Sequence, residues 1–101
     1  MIRAKVITIC GSLRNQEYLM KETERLTLEG YNVISVIYET RDRNSYSEEE
    51  INQFIKMHYQ KIDLADAVYI VNVGGIVGTH TKKDIEYAES LGKEILYMEK
   101  M

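Results

Sequence analysis

Asp84 is a carboxylate at the point where a loop rich in glycine and threonine gives way to a helical pattern, in "GGIVGTHTKKDIEYA" (74–88). Thr81 and Asp84 have the spacing of a capping box, in which Asp84 would close the first turn of a helix that begins at Thr81. On that helix Asp84 shares a face with Ala88, whereas Glu86 points to the opposite side. Two interpretations follow: Asp84 caps the helix, or it faces a ligand as a nucleophilic carboxylate.

His58 and Lys61 form a second candidate group, one helical turn apart in the segment "HYQKIDLAD" (58–66). An imidazole can supply the proton that a poor leaving group needs when its bond breaks. His58 also belongs to the apolar stripe of a predicted helix, together with Phe54 and Ile62. The spacing therefore leaves two possibilities open, a histidine that fills the core or one that lines a binding pocket.

The turn "GSLRN" (11–15) joins a predicted buried strand to a predicted helix. Gly11 allows a ligand to approach the backbone closely, and the N–H groups at the helix start, beside Ser12, favour an anion. The guanidinium of Arg14 could add a charge-assisted contact to a phosphate or a carboxylate. The same residues would also suit a tight strand-to-helix turn without any ligand.

A second loop contains three glycines in five positions, Gly74, Gly75 and Gly78. Such crowding implies positive φ angles or a close approach of the backbone to another group. Because a structural turn needs only one or two glycines, this loop is predicted to face a ligand, with Thr79 and Thr81 beside it.

Short apolar runs alternate with helical patterns along the whole chain. Strands are predicted at residues 5–10, 31–38, 67–73 and 94–98. Helices are predicted at 16–28, from a Ser47–Glu50 capping box onward, and at 81–91. This order predicts an α/β protein with a three-layer, doubly wound parallel sheet of about four strands, of flavodoxin-like or Rossmann-like type. Ligands of such sheets bind beyond the carboxyl ends of the strands, so the two glycine-containing loops are expected to form the site.

The bulk composition limits the classes of function. The chain has 101 residues, which suits one domain with one core. Its net charge of −3 argues against binding to polymeric nucleic acid or to an anionic membrane, although one helix N-terminus can still hold one phosphate. No apolar stretch approaches the roughly 20 residues of a membrane span, and no signal-peptide pattern precedes the first strand, so a cytoplasmic protein is expected. The single cysteine, Cys10, excludes an intrachain disulfide and a cysteine-based zinc site.

Three segments of the chain resemble the nucleoside 2-deoxyribosyltransferase-like superfamily, which includes the deoxyribosyltransferases and the deoxynucleoside 5-monophosphate N-glycosidases. They are "GSLR" (11–14), "ADAVYIVN" (65–72) and the pattern G-x-x-x-K-x-D-I-x-Y-A-x-x-L-G-K that begins at Gly78. The resemblance spans nearly the whole chain, taken as a single domain over 1–101, and its third segment is the most specific. The segment "HYQKIDLAD" is further similar to one in small, uncharacterised members of the superfamily.

The resemblance implies a reaction on a nucleoside or a nucleotide. In that family a glutamate in the pattern E-[IL]-G-x-A opens the last helix, attacks C1 of the deoxyribose and forms a glycosyl-enzyme. Aligning the family alanine with Ala88 puts Asp84 in the nucleophile position, with a side chain about 1.5 Å shorter than glutamate. His58 or a tyrosine is then a candidate proton donor to the base. The residues expected to bind the substrate are Gly11, Ser12, Arg14, Lys61, Gly74, Gly75, Gly78, Thr79 and Thr81.

The same resemblance implies that no metal or other cofactor takes part. Members of the superfamily form homodimers or larger rings in which a neighbour completes the pocket, so a homodimer or a higher homo-oligomer is expected. The aspartate in place of glutamate leaves a second function open, a module of the same fold that binds or sequesters a nucleotide without turnover.

Overall fold

The computed structural model of the protein describes residues 3–100, in which strands and helices alternate. The strands are β1 (Val6–Cys10), β2 (Asn32–Ile34), β3 (Ala67–Ile70) and β4 (Glu94–Tyr97). The helices are α1 (Gln16–Leu28), α2 (Glu48–Leu64) and α3 (Thr79–Ser90). One-turn 3₁₀ segments lie at Leu13–Asn15, Arg43–Ser45 and Val73–Gly75. Among these described residues, no helix has the length and apolar character needed to cross a membrane.

The four strands form one parallel sheet in the order β2-β1-β3-β4. Ile7 pairs with Val33 on one side and with Ala67 on the other, and Ala67 pairs in turn with Glu94. Parallel strands joined through helices confirm the predicted α/β, Rossmann-like architecture. The connections from β1 and from β3 lead toward opposite edges of the sheet, so the strand order reverses between these two strands.

Alternate residues of β1 face opposite sides of the sheet, and helices cover both sides. Ile9 is fully buried in one core cluster with Leu19 of α1. Cys10 is fully buried in a second cluster with Ile62 of α2 and Ala88 of α3. The sheet is therefore the middle of three layers. Because side chains alternate along a strand, Cys10 at the end of β1 points toward α2 and α3.

Local signals in the sequence determine where the first two helices begin and end. α1 covers the predicted residues 16–28 and is followed by Gly30, whose φ of 101° lies in the left-handed region. α2 follows the predicted capping box. Ser47 Oγ accepts a hydrogen bond from the Glu50 N–H at 3.1 Å, and Glu50 Oε1 accepts one from the Ser47 N–H at 2.9 Å.

The second strand is shorter than the apolar run at 31–38 predicts. β2 is an edge strand that pairs with β1 only as far as Thr8, and it ends at Ile34. The next carbonyl, that of Ser35, accepts a hydrogen bond from Lys61 Nζ at 2.9 Å instead of one from a neighbouring strand. The rest of the run leaves the sheet, and part of it becomes the wall of a cavity.

Candidate functional site

A cavity of about 990 Å³ lies between the loop after β1, the segment after β2, the helix α2 and the start of α3. This volume is at the upper end of the range of roughly 300–1,000 Å³ that is typical of small-molecule sites. Of the residues predicted for the site, all except Gly74 and Gly75 line the cavity. They are Gly11, Ser12, Arg14, His58, Lys61, Gly78, Thr79, Thr81 and Asp84.

Asp84 of α3 and His58 of α2 meet in this cavity. The distance between Asp84 Oδ2 and His58 Nε2 is 3.2 Å, and the two side chains are 13% and 19% exposed. When the imidazole is protonated, the contact is an ion pair. The pair is thus largely shielded from water and still in contact with the cavity, where electrostatic interactions are stronger than at an open surface.

The helix α3 begins two residues earlier than predicted, and this changes the interpretation of Asp84. The helix begins at Thr79, and its N-cap residue is Gly78, which has no side chain. Thr81 is buried in the first turn, and Asp84 lies in the second turn. The capping box predicted for Thr81 and Asp84 is therefore wrong. The predicted orientation holds, because Glu86 is exposed while Asp84 lines the cavity.

Cys10 is the third member of this cluster. The thiol sulfur of Cys10, a ring nitrogen of His58 and a carboxylate oxygen of Asp84 all lie within 4.8 Å of one another. Burial of Cys10, followed by the negative charge of Asp84, raises the pKa of its thiol well above the ordinary value. The thiol is therefore protonated near neutral pH and is not an activated nucleophile.

Lys61 lines the cavity one turn after His58, and its amino group is held by the backbone. Its Nζ donates to the Ser35 carbonyl at 2.9 Å, and burial lowers the pKa of this lysine. The carbonyl of Lys61 itself accepts a hydrogen bond from Thr8 Oγ1 at 2.7 Å. Lys61 therefore joins α2 to β1 and to the segment after β2, and this network shapes the cavity wall.

The turn after β1 borders the cavity as the sequence predicts. Ser12 Oγ accepts a hydrogen bond from the Arg14 N–H at 3.3 Å, which starts the 3₁₀ turn that precedes α1. The Arg14 side chain is exposed, and it lines both this cavity and an adjoining one of about 350 Å³. Arg14 is thus available for an anionic group at the mouth of the site.

Gly11 is required by the packing behind this turn, and Gly11→Ala is expected to lower the free energy of unfolding. A Cβ atom at Gly11 would lie 3.0 Å from Leu19 Cδ2 and 3.3 Å from the Val71 carbonyl oxygen. The expected cost is about 1 kcal/mol, at the low end for an overpacked site, because the end of the Leu19 side chain can shift while the backbone cannot. Urea denaturation measures this change.

Gly78→Ser is the matched control for Gly11→Ala. A Cβ atom at Gly78 meets no other atom within 4 Å, and its φ of −75° suits any residue. Serine is also favoured at an N-cap position, so this variant should be as stable as the natural chain or more stable. If both variants lose the same stability, the close packing at Gly11 is not the cause.

Gly74 and Gly75 do not belong to the cavity lining. Their φ angles are 67° and 76°, as expected for a glycine-rich turn. The Gly75 N–H donates to the Asn72 carbonyl at 2.8 Å, and the Gly74 N–H donates to the carboxylate of Glu99. These two glycines are therefore needed for the turn between β3 and α3, and this turn is tied to the segment after β4.

An apolar part of the wall is not among the residues predicted for the site. Phe54 and Met57 of α2 lie beside His58 in the cavity, and Ile37, which is 47% exposed, lies in the segment after β2. The sequence places Phe54 on the apolar stripe of its helix, and its separation of four residues from His58 is the signal that could have placed both on one wall. A flat ring can pack against this surface.

Tyr59 is a second residue that the sequence did not single out. It lines the cavity, and its ring packs edge-to-face on Tyr87, with 4.8 Å between the ring centroids. Burial, together with the charges of Asp84 and Glu86, raises the pKa of Tyr59. Its hydroxyl therefore stays protonated near neutral pH and can donate a hydrogen bond to a ligand.

Comparison with models of known families and with curated proteins finds no match for this chain. A function is therefore inferred from the side chains that line the cavity. A shielded carboxylate beside an imidazole suits covalent chemistry with proton transfer. The apolar wall suits a planar ring, and Arg14 at the mouth suits an anionic group.

Proposed function

We propose that the protein acts on the N-glycosidic bond of a nucleoside or a nucleotide, by deoxyribosyl transfer or by hydrolysis, with Asp84 as the reacting carboxylate. The observation that carries this proposal is the pair of Asp84 and His58, 3.2 Å apart and largely shielded, in a cavity of about 990 Å³. Glycosidic bonds are broken by a carboxylate together with a group that protonates the leaving atom. The resemblance to the deoxyribosyltransferase-like superfamily supports the same position for the nucleophile.

The reaction proposed has two steps. In the first, an Asp84 carboxylate oxygen bonds to C1 of the sugar while the bond from C1 to the base nitrogen breaks. The base leaves with the electron pair of that bond and takes a proton from the imidazolium of His58. In the second step, water or a second base attacks C1 and releases the carboxylate, with neutral His58 accepting the proton of the attacking group.

The cavity lining supports one orientation of the ligand. The base packs against the apolar wall of Phe54, Met57 and Ile37, where burial of a planar ring is favourable. The sugar then lies beside Asp84, and its 5-oxygen or 5-phosphate points toward Arg14 at the turn after β1. Neither step of the proposed reaction uses a metal or another cofactor.

A second candidate function is binding of a nucleotide without turnover. The observation that favours it is the contact between Asp84 and His58, because a short carboxylate already held at 3.2 Å by a neighbour has less freedom to reach C1. Both functions use the same cavity and the same ligand class, so only a measurement of base release separates them.

The proposal is tested by incubating the purified chain with a panel of ribonucleosides, deoxynucleosides and their 5-monophosphates. Free base is followed by chromatography, and binding is followed by calorimetry. Release of base from a panel member supports the first function, and exchange with an added second base identifies a transferase. Binding without release supports the second function, whereas a panel without a binding member contradicts both.

His58 is expected to respond to a bound ligand, because it lines the cavity and is not enclosed in the core. Its ring signals in NMR spectra should shift when a binding member of the panel is added to saturation. His58→Gln assigns the signals, since the chain has only two histidines. Ring signals of His58 that stay unchanged at saturation would show that the ligand lies elsewhere.

A further inference from the structure

Three side chains of different chemistry converge behind the cavity. Cys10 ends β1, His58 lies on α2 and Asp84 lies on α3, and one ligand atom from each lies within 4.8 Å of the others. Each of the three belongs to a different element of the fold, and the elements pack against one another through the core cluster that contains Cys10. The arrangement is therefore held by the fold and does not depend on a loop.

We propose that Cys10, His58 and Asp84 bind one Zn²⁺ ion, with the fourth coordination position open to the cavity. A thiolate, an imidazole nitrogen and a carboxylate oxygen are all zinc ligands, and zinc sites with three protein ligands keep a position for water. A single cysteine cannot form a cysteine-rich structural site, but a mixed site needs only one. Sulfur and nitrogen ligands exclude Mg²⁺ and Ca²⁺, which take oxygen ligands.

The separations of the ligand atoms are close to those that zinc requires. Bond lengths of about 2.0–2.3 Å and tetrahedral angles put neighbouring ligand atoms roughly 3.3–3.7 Å apart. His58 Nε2 and Asp84 Oδ2 are already 3.2 Å apart. Since no separation in the cluster exceeds 4.8 Å, closure around the ion needs shifts of roughly 1 Å.

Charge balance also favours a divalent ion at this position. The carboxylate of Asp84 and the thiolate of Cys10 would together supply two negative charges, and neutral His58 supplies none. The zinc complex of these three side chains is therefore neutral overall, which suits a site where Cys10 is fully buried and the other two are mostly shielded. The proton of the Cys10 thiol is released to solvent when the metal binds.

Zinc bound in this way would occupy the carboxylate that the proposed reaction uses. The metal-bound and catalytic states would then exclude each other, and zinc would inhibit any release of base. The site itself follows from the geometry of the three side chains, so it stands or falls independently of the nucleoside chemistry.

The test is zinc binding by the purified chain in the absence of any nucleoside, with a reducing agent that does not bind metal. We expect the chain to bind one Zn²⁺ ion, as measured by competition with a chromophoric chelator. Loss of a residue that only supports a metal ligand weakens metal affinity roughly 10- to 100-fold. Because Cys10 is itself a proposed ligand, Cys10→Ala should weaken the affinity for zinc by more than this. Circular dichroism shows whether this variant keeps the fold.

Co²⁺ gives a readout that needs no folded variant. Cys10 is the only cysteine, so a thiolate-to-cobalt charge-transfer band in the natural chain can arise only from this residue. His80→Gln is the matched control, because His80 is the other histidine and is exposed, and this variant should bind zinc as the natural chain does. The proposal is overturned if the band is absent, if zinc does not bind, or if His80→Gln removes zinc binding while Cys10→Ala does not.

Discussion

Replacing Asp84 with asparagine should slow the proposed release of free base by about ten-thousand-fold or more, as expected when a nucleophilic group is removed. Asparagine keeps the shape of the side chain and removes the attacking charge. Because Asp84 lies in the second turn of α3 and is not its cap, the change affects stability only through the contact with His58, and it should lower the free energy of unfolding by about 1–3 kcal/mol. Chromatography measures the released base, and urea denaturation measures the stability.

Glu86→Gln is the matched control for this change. Glu86 lies two residues further along the same helix and is exposed, so its neutralisation should leave base release and stability unchanged. A similar loss of activity in both variants would mean that the net charge of α3, and not the carboxylate in the cavity, determines the rate.

Asp84→Glu adds one methylene to the carboxylate that the proposed function uses as its nucleophile. The carboxylate gains about 1.5 Å of reach, so base release should be preserved or should rise. If the natural chain only binds its ligand, glutamate can create weak release where none existed before. The nucleophilic role is contradicted if the natural chain, the asparagine variant and the glutamate variant bind alike and release base at the same rate.

The helices α1 and α2 could be predicted from the sequence because their signals are local. The bounds of α1 depend on an apolar stripe and on Gly30, and the start of α2 depends on hydrogen bonds between Ser47 and Glu50, three residues apart. The parallel sheet was predictable for a related reason. Strands that alternate with helices along a short chain can return to one sheet only through crossovers, which makes the pairing parallel.

Boundaries that depend on distant parts of the chain were not predictable. The turn before α3 is tied to the segment after β4, because the Gly74 N–H donates to the carboxylate of Glu99, and the helix that follows this turn begins at Thr79, before the apparent capping box. In the same way, β2 ends early because Lys61 of α2 takes a carbonyl that a longer strand would offer to a neighbour.

The position of the candidate site was predictable, whereas the contacts between its side chains were only partly so. The rule that ligands bind beyond the carboxyl ends of parallel strands placed both Arg14 and Asp84 at one edge of the sheet. The contact of His58 with Asp84 depends on how α2 and α3 pack, and the position of Cys10 beside them depends on the face of β1. No spacing within the sequence encodes either relation.

Arg14→Ala should weaken the binding of a nucleoside 5-monophosphate by about 1.5–3 kcal/mol, which is roughly 10- to 150-fold in affinity. Binding of the corresponding nucleoside should weaken much less, because a nucleoside has no phosphate for the guanidinium to bind. Arg14 is suited to this role since it borders both cavities in the 3₁₀ turn before α1, and no carboxylate of the described residues pairs with it. Calorimetry on the two ligands measures the difference.

Arg43→Ala is the control that separates a specific role of Arg14 from a general decrease in positive charge. Arg43 also lines the larger cavity, but its guanidinium is already paired with Glu39, a residue that is mostly shielded. Its removal should therefore weaken the binding of the monophosphate by less than Arg14→Ala does, and the binding of the neutral nucleoside hardly at all. The natural chain's preference for the monophosphate should also shrink as salt is added, because an exposed charge–charge contact is screened. Equal weakening of both ligands in Arg14→Ala would show that the phosphate does not bind at the turn after β1. The same conclusion would follow if Arg43→Ala changed the difference in affinity between the two ligands more than Arg14→Ala does.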